Sequence, residues 1–164
     1  MAVTLRPATR DDAEAMAAIW NPIIRDTTIT FTTEEKTLRA LRADIYLRSE
    51  ARRPWILAET DTVLGFAGLA PFRDGPGYAR TLEYTLYLAP EARGVGLGSR
   101  LLAEIEDRAA GLGARVLIGG VSGDNAAALA FHRRHGFEIE VTLPRVGWKF
   151  GKALDLVLFH KYLS

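Results

Sequence analysis

Between Arg80 and Ala89 the chain alternates strictly: Leu82, Tyr84, Leu86 and Leu88 fall on one side, Thr81, Glu83, Thr85 and Tyr87 on the other. That period of two belongs to a β-strand. Pro90 ends it. Glycines at 94, 96 and 98 follow, and Leu97, Leu101, Leu102, Ile105 and Ala109 then recur at helical spacing. A strand that enters a helix through so short a turn places the helix's first N–H groups, which have no intrahelical partner, at the strand's end. The helix dipole makes those groups attractive to an anion, and glycines let the backbone approach it closely. Arg93, Gly94, Val95, Gly96, Leu97, Gly98 and Ser99 are therefore the candidate cradle for a phosphate or pyrophosphate.

Two familiar phosphate loops do not fit. A Walker loop needs glycine-lysine followed by serine or threonine, and the segment has no lysine. A dinucleotide fingerprint needs a differently spaced third glycine and an acidic residue at the end of the next strand. The next apolar run instead ends Leu117-Ile118-Gly119-Gly120-Val121. The turn's own residues leave two readings open, an anion cradle or a tight turn whose glycines serve packing alone.

Composition narrows the classes. Basic and acidic side chains number 21 and 20, a net charge of +1, which argues against a nucleic-acid binder relying on bulk phosphate attraction. There is no cysteine, so disulfides, thiolate metal sites and cysteine nucleophiles are excluded, and no metal site is expected. Met1 to Pro7 lacks the apolar core of a signal peptide, and no apolar run nears the roughly 20 residues that span a bilayer. The expectation is a soluble cytoplasmic protein with no membrane partner.

Around the central strand the order of elements reads as follows. Val3 to Arg6 is a short strand, and Thr9 caps a helix whose apolar stripe is Met16, Ile19, Trp20, Ile23 and Ile24, with a break expected at Pro22. Thr27 to Thr33 is loop or extended chain; Glu34 to Arg52 is helical, with Leu38, Leu41, Ile45 and Leu47 inward. Trp55 to Glu59 and Val63 to Pro71 form a hairpin, and Arg73 to Gly77 a loop. Arg115 to Ile118 is a strand, and Asn125 to His135 a helix closed by Gly136. Phe137 to Leu143 and Leu154 to Tyr162 are final strands about a turn at Gly147 to Lys152. This order predicts an α/β domain over residues 1–164, a mixed sheet with helices on both faces.

The loop Arg93-x-x-Gly96-x-Gly98 resembles the acetyl-CoA motif of the GNAT N-acetyltransferases. Asn125 to Phe137, with its opening asparagine and closing Gly136-Phe137, resembles the same family's second signature. Within that superfamily the chain is most similar to the phosphinothricin and methionine sulfoximine acetyltransferases. The likeness rests on Thr30-Phe31 with Thr32 to Glu35, on Phe72-Arg73 with Tyr78 to Arg80, on Glu83 before Leu86 to Leu88, and on Val146 to Lys152 with Asp155. Ala153 departs from the pattern, standing where many relatives have an aromatic residue.

The resemblance implies the GNAT fold, a mostly antiparallel central sheet flanked by helices, with acetyl-CoA as cofactor and a homodimeric assembly. It implies direct attack of a small-molecule amine on the thioester. Glu83 would be the general base; the alternative from the residues, not exclusive of it, is a carboxylate ion-paired with Arg80 or Arg73. The backbone of Leu86, Tyr87 and Leu88 would hydrogen-bond the pantetheine arm. Asn125 would contact that arm, unless it caps its helix. His132 would protonate the leaving thiolate. Phe31, Arg73, Tyr78 and Arg80 would bind an amino-acid-like acceptor, the arginines through its acidic groups, with Trp148 as a further wall. His135 and His160 read as surface or packing residues. The rivals are the same fold with another acceptor (a protein N-terminus, a polyamine, an aminoglycoside) and a non-catalytic acyl-CoA sensor.

Overall fold

The computed structural model describes residues 2–164. In chain order its elements are β1 (Thr4–Pro7), α1 (Ala13–Asp26), α2 (Leu38–Glu50), β2 (Ile56–Glu59), β3 (Val63–Pro71), β4 (Thr81–Leu88), α3 (Leu97–Gly111), β5 (Val116–Ser122), α4 (Ala126–Arg134), β6 (Ile139–Lys149) and β7 (Lys152–Tyr162). The strands form one seven-stranded sheet in the order β1-β2-β3-β4-β5-β7-β6. Every pairing is antiparallel except that of β4 with β5.

Alternation along the strands sends side chains into two cores. On one face Trp20 of α1 packs against Trp55, Phe66 and Tyr87, with ring centroids 5.4, 5.4 and 5.6 Å away. Asp44 of α2 closes this layer by accepting a hydrogen bond from the Trp55 indole at 2.7 Å. On the other face α4 rests on the sheet through His132, stacked 4.7 Å from Phe159 and 5.7 Å from Tyr84. Helices thus cover both faces, as expected. No helix among the described residues is long and apolar enough to cross a membrane.

Four local expectations are corrected. Helix α1 runs unbroken through Pro22. The carbonyl that Pro22 leaves without its helical donor is that of Ala18, an exposed residue that water can serve, while Ile19, Trp20, Ile23 and Ile24 stay buried on the opposite side. Helix α2 starts four residues later than its composition suggested, because Thr37 caps it by accepting from the Ala40 amide at 3.1 Å. Leu41 and Ile45 point inward, but Leu47 is 62% exposed and Leu38 36%. Leu47 lies two residues past Ile45, on the far side of the helix. Lastly, β6 continues through the expected turn to Lys149, and the reversal is confined to Phe150 and Gly151 at φ 54° and 74°. Two residues at positive φ are what a tight hairpin with the right strand twist requires.

Candidate active site

The site originates in the parallel pairing at the centre of the sheet. β4 and β5 are in register from Thr81 opposite Val116 only as far as Tyr84 opposite Gly119. β4 continues to Leu88 paired with β3, and β5 to Ser122 paired with β7, so beyond Tyr84 the two strands part. A cleft of about 680 Å³ opens there. On the β5 side, Leu86, Tyr87 and Leu88 face it with no strand partner, which leaves backbone donors and acceptors available to an extended ligand.

The glycine turn forms the outer rim. Gly94 and Gly96 are at φ +77° and +85°, a left-handed backbone that side-chain-bearing residues resist. This geometry aims the start of α3 at the cleft. No side chain caps that helix and no acidic residue lies in its first turn. The first intrahelical bond at this end is the Arg100 amide to the Gly96 carbonyl, 3.3 Å, so the amides of Leu97, Gly98 and Ser99 keep their donors for a ligand. Arg93, Gly94, Gly96, Gly98 and Ser99 all border the cleft. Val95 points to solvent and Leu97 into the core, so these two contribute backbone alone.

Opposite the rim, Asn125 forms the cap that its position allowed. Its Oδ1 accepts from the Ala128 amide at 3.1 Å as the cap of α4, while the residue lines the cleft. The amide nitrogen remains available to a ligand.

Glu83 sits where the strands part, half-buried, at the inner end of the cleft. It makes no ion pair among the described residues, so the pairing with Arg73 or Arg80 that its sequence neighbourhood allowed does not form. Burial pushes its carboxyl above the ordinary carboxylate range. Across from it is Gly120, where a methyl group would stand 3.4 Å from Oε2. Thr30 and Phe31 line the same cleft.

His132 borders the cleft, yet both its nitrogens are engaged. Nδ1 lies 2.7 Å from the Ala128 carbonyl, which only accepts, so Nδ1 carries the proton and Nε2 accepts from the Tyr84 hydroxyl at 2.5 Å. Burial lowers the imidazole pKa and raises that of the phenol, keeping the pair neutral. In this state Nε2 has no proton of its own to donate. Gly119 makes the pair possible, because a methyl group there would come 2.7 Å from Nε2 and 2.8 Å from a Tyr84 ring carbon. We expect Tyr84→Phe to strand a buried acceptor at a cost of about 1–3 kcal/mol. Thermal unfolding should show it as a Tm several degrees lower.

Three expected acceptor-binding residues lie elsewhere in the single chain. Arg73 and Tyr78 border a separate cavity of about 380 Å³ at the other end of β4, with Arg53 and Asp74. Arg80 is exposed just before β4, its carbonyl accepting from Arg115 and Val116. Trp148 is 68% exposed on β6 and does not line the cleft. Conversely, Tyr84, Gly119, Gly120 and Arg134 belong to the cleft or its wall without having been singled out. The signal for two of them was present: consecutive glycines inside a strand mark a place where something approaches the backbone closely. Among the described residues no cluster of three or more His, Asp or Glu side chains could hold a metal.

Residues 16–137 match the Acetyltransferase (GNAT) family. The chain belongs to the GNAT acetyltransferase family. Among curated relatives, this GNAT chain is 34% identical to the L-methionine sulfoximine/L-methionine sulfone acetyltransferase of Pseudomonas paraeruginosa, over 100% of its own length and 96% of the relative's. Among solved structures it is similar to a GNAT superfamily phosphinothricin acetyltransferase from Sinorhizobium meliloti in complex with acetyl-CoA (TM-score 0.93, 28% identity, 100% and 90% coverage). It is also similar to a ribosomal-protein-alanine N-acetyltransferase from Brucella melitensis (TM-score 0.93, 37% identity, 98% and 99% coverage). The GNAT chain is thus an acyltransferase with acetyl-CoA as cosubstrate, and the free amides at the start of α3 suit its pyrophosphate.

Proposed function

We propose that this GNAT protein acetylates the α-amine of a small amino-acid-like acceptor of the phosphinothricin or methionine sulfoximine type, by direct attack in a ternary complex. The observation that carries the reading is the half-buried, ion-pair-free Glu83 carboxylate at the point where β4 and β5 part. Acetyl-CoA supplies the acetyl group as an activated thioester. Glu83 takes the proton from the acceptor ammonium, directly or through one water, and its raised pKa brings it closer to that task near neutrality. The backbone of Leu86 to Leu88 orients the acyl arm and offers an N–H to the developing oxyanion. The amides of Leu97, Gly98 and Ser99 hold the pyrophosphate, with Arg93 beside them, and Asn125 contacts the arm. Phe31 walls the acceptor. His132 acts as acid to the leaving thiolate only after taking up a proton, since its resting Nε2 accepts from Tyr84.

We also read residues 1–164 as one acetyltransferase domain that works as a cytoplasmic homodimer. Within one chain Arg73, Tyr78 and Arg80 do not border the cleft, so a dimer is the arrangement in which they could take part in acceptor binding. Light scattering on the purified protein tests the assembly. The function is tested by following CoA release from acetyl-CoA with phosphinothricin, methionine sulfoximine, the common amino acids, a polyamine and an N-terminal alanine peptide. Turnover confined to the peptide would favour the acceptor class named for the Brucella neighbour. Thermal stabilisation by acetyl-CoA without turnover of anything would favour a sensor.

A further inference from the structure

The segment from Thr27 to Thr37 carries the acceptor-side wall but has no strand or helix of its own. Its backbone is anchored at its ends: the Thr27 amide donates to the Ile23 carbonyl, and Asn21 holds Lys36 by accepting from its amide at 2.7 Å and donating to its carbonyl at 3.0 Å. Between those ends Arg25 donates to Glu35 at 3.3 Å, Tyr87 hydrogen-bonds Thr30, and two further contacts come from β6, at the far edge of the sheet. Lys149, 2% exposed, donates from Nζ to the Thr30 carbonyl at 2.8 Å. It forms no ion pair among the described residues, and its Nζ lies 5.2 Å from the centroid of the Phe150 ring. Two residues earlier, Gly147 lies flat beneath the Phe31 ring. A methyl group at Gly147 would stand 2.5 Å from two of the ring carbons, closer than atoms tolerate.

An ammonium buried without a carboxylate is costly, and burial indeed pushes the Lys149 pKa down. Packing alone does not call for a lysine here; an aliphatic side chain would fill the space without that cost. What the lysine adds is a grip on one carbonyl. That carbonyl belongs to the residue preceding Phe31, and both residues line the same cleft as Glu83.

We propose that Gly147 and Lys149 are positioning residues that fix Thr30 and Phe31 as the acceptor-side wall, and so set how large an acceptor side chain the cleft admits. The proposal rests on the acceptor reading given above. Gly147 sets the depth at which the Phe31 ring sits. Lys149 keeps the loop from drifting away from it. Neither touches the cofactor rim, so the two halves of the site are tuned separately.

Two measurements test it. Hydrogen–deuterium exchange on the free protein needs no substrate. Lys149→Met should raise exchange across 27–37 and leave the start of α3 unchanged; unaltered exchange at 27–37 would sink the clamp. The second is steady-state kinetics with alanine and methionine sulfoximine on Gly147→Ala. Phe31 is pushed into the cleft, so the kcat/KM ratio of the larger to the smaller acceptor should fall roughly tenfold, the scale of a pocket contact. The acetyl-CoA Kd should stay within about twofold, as expected when only acceptor contacts change. In a Phe31→Ala background the same substitution should have no effect on the ratio. An equal effect in both backgrounds, or a ratio that Gly147→Ala leaves unchanged in the parent, would overturn the Gly147 assignment. If the unsubstituted protein acetylates no amino acid at all, the acceptor reading fails, and the exchange result still decides whether Lys149 holds the loop.

Discussion

Glu83→Gln is expected to lower kcat/KM by about a hundred- to a thousand-fold at neutral pH, the range lost when a general base is removed. The acetyl-CoA Kd should not move, because the carboxylate lies at the inner end of the cleft and the free amides at its rim. Stability should change in the opposite sense to activity. The folded carboxyl has a raised pKa, so it holds its proton to a higher pH than the unfolded chain does. The stability it contributes is therefore complete below the unfolded value and is lost as pH rises through the folded one. At neutral pH the glutamine variant escapes that loss and should melt no lower than the parent, and slightly higher above the raised pKa. In the parent, kcat/KM should climb through the raised Glu83 value and then level off, and in the variant that limb should be gone. Coupled CoA-release assays across pH 5 to 9 beside thermal melts decide the matter; a variant that keeps the limb removes Glu83 from the role of base.

The second large effect concerns the rim. Gly96 holds φ +85°, and a β-branched residue there is strained by about 1–3 kcal/mol. Gly96→Val should relax the turn away from the conformation that aims the Leu97, Gly98 and Ser99 amides outward. If that strain falls on the bound state, acetyl-CoA binding weakens by roughly ten- to a hundred-fold, a factor of ten for each 1.4 kcal/mol. Gly113 supplies the control. It has φ +89° at the opposite end of α3, with open space around it just as at Gly96. Gly113→Val should cost similar stability and leave the acetyl-CoA Kd unchanged by calorimetry. Equal losses of affinity in both variants would mean that general destabilisation, not the rim, is responsible.

Features with local causes were legible in the sequence. The alternation through Leu82 to Leu88, the glycine turn and the Gly136 helix stop each depend on a few neighbouring residues, and the structure has them where the sequence put them. What depends on pairing across the chain was not. Nothing near Tyr84 announces that its strand will leave β5 at Gly119, or that its hydroxyl will meet an imidazole 48 residues away. Arg80 shows how proximity in sequence misleads. It is three residues from Glu83, but a strand advances about 3.3 Å per residue, so the two occupy opposite ends of β4's pairing with β5. Pro22 and Leu47 were misplaced for a related reason: packing of α1 outweighed one lost hydrogen bond, and a two-residue step on a helix reverses direction.

The parting of β4 from β5 has a consequence for solubility. It leaves a sheet with an edge in its interior, and a bare edge is where one protein chain recruits another. Most sheets keep such edges short, charged or covered at the periphery; this one keeps Leu86 and Leu88 along it. A molecule with amides spaced along an extended arm would occupy that edge as a substitute strand. Acetyl-CoA should then protect the protein from aggregating as well as raise its Tm, by an amount that grows with the logarithm of its concentration above Kd. The substrate of the reaction would double as the strand that the sheet lacks.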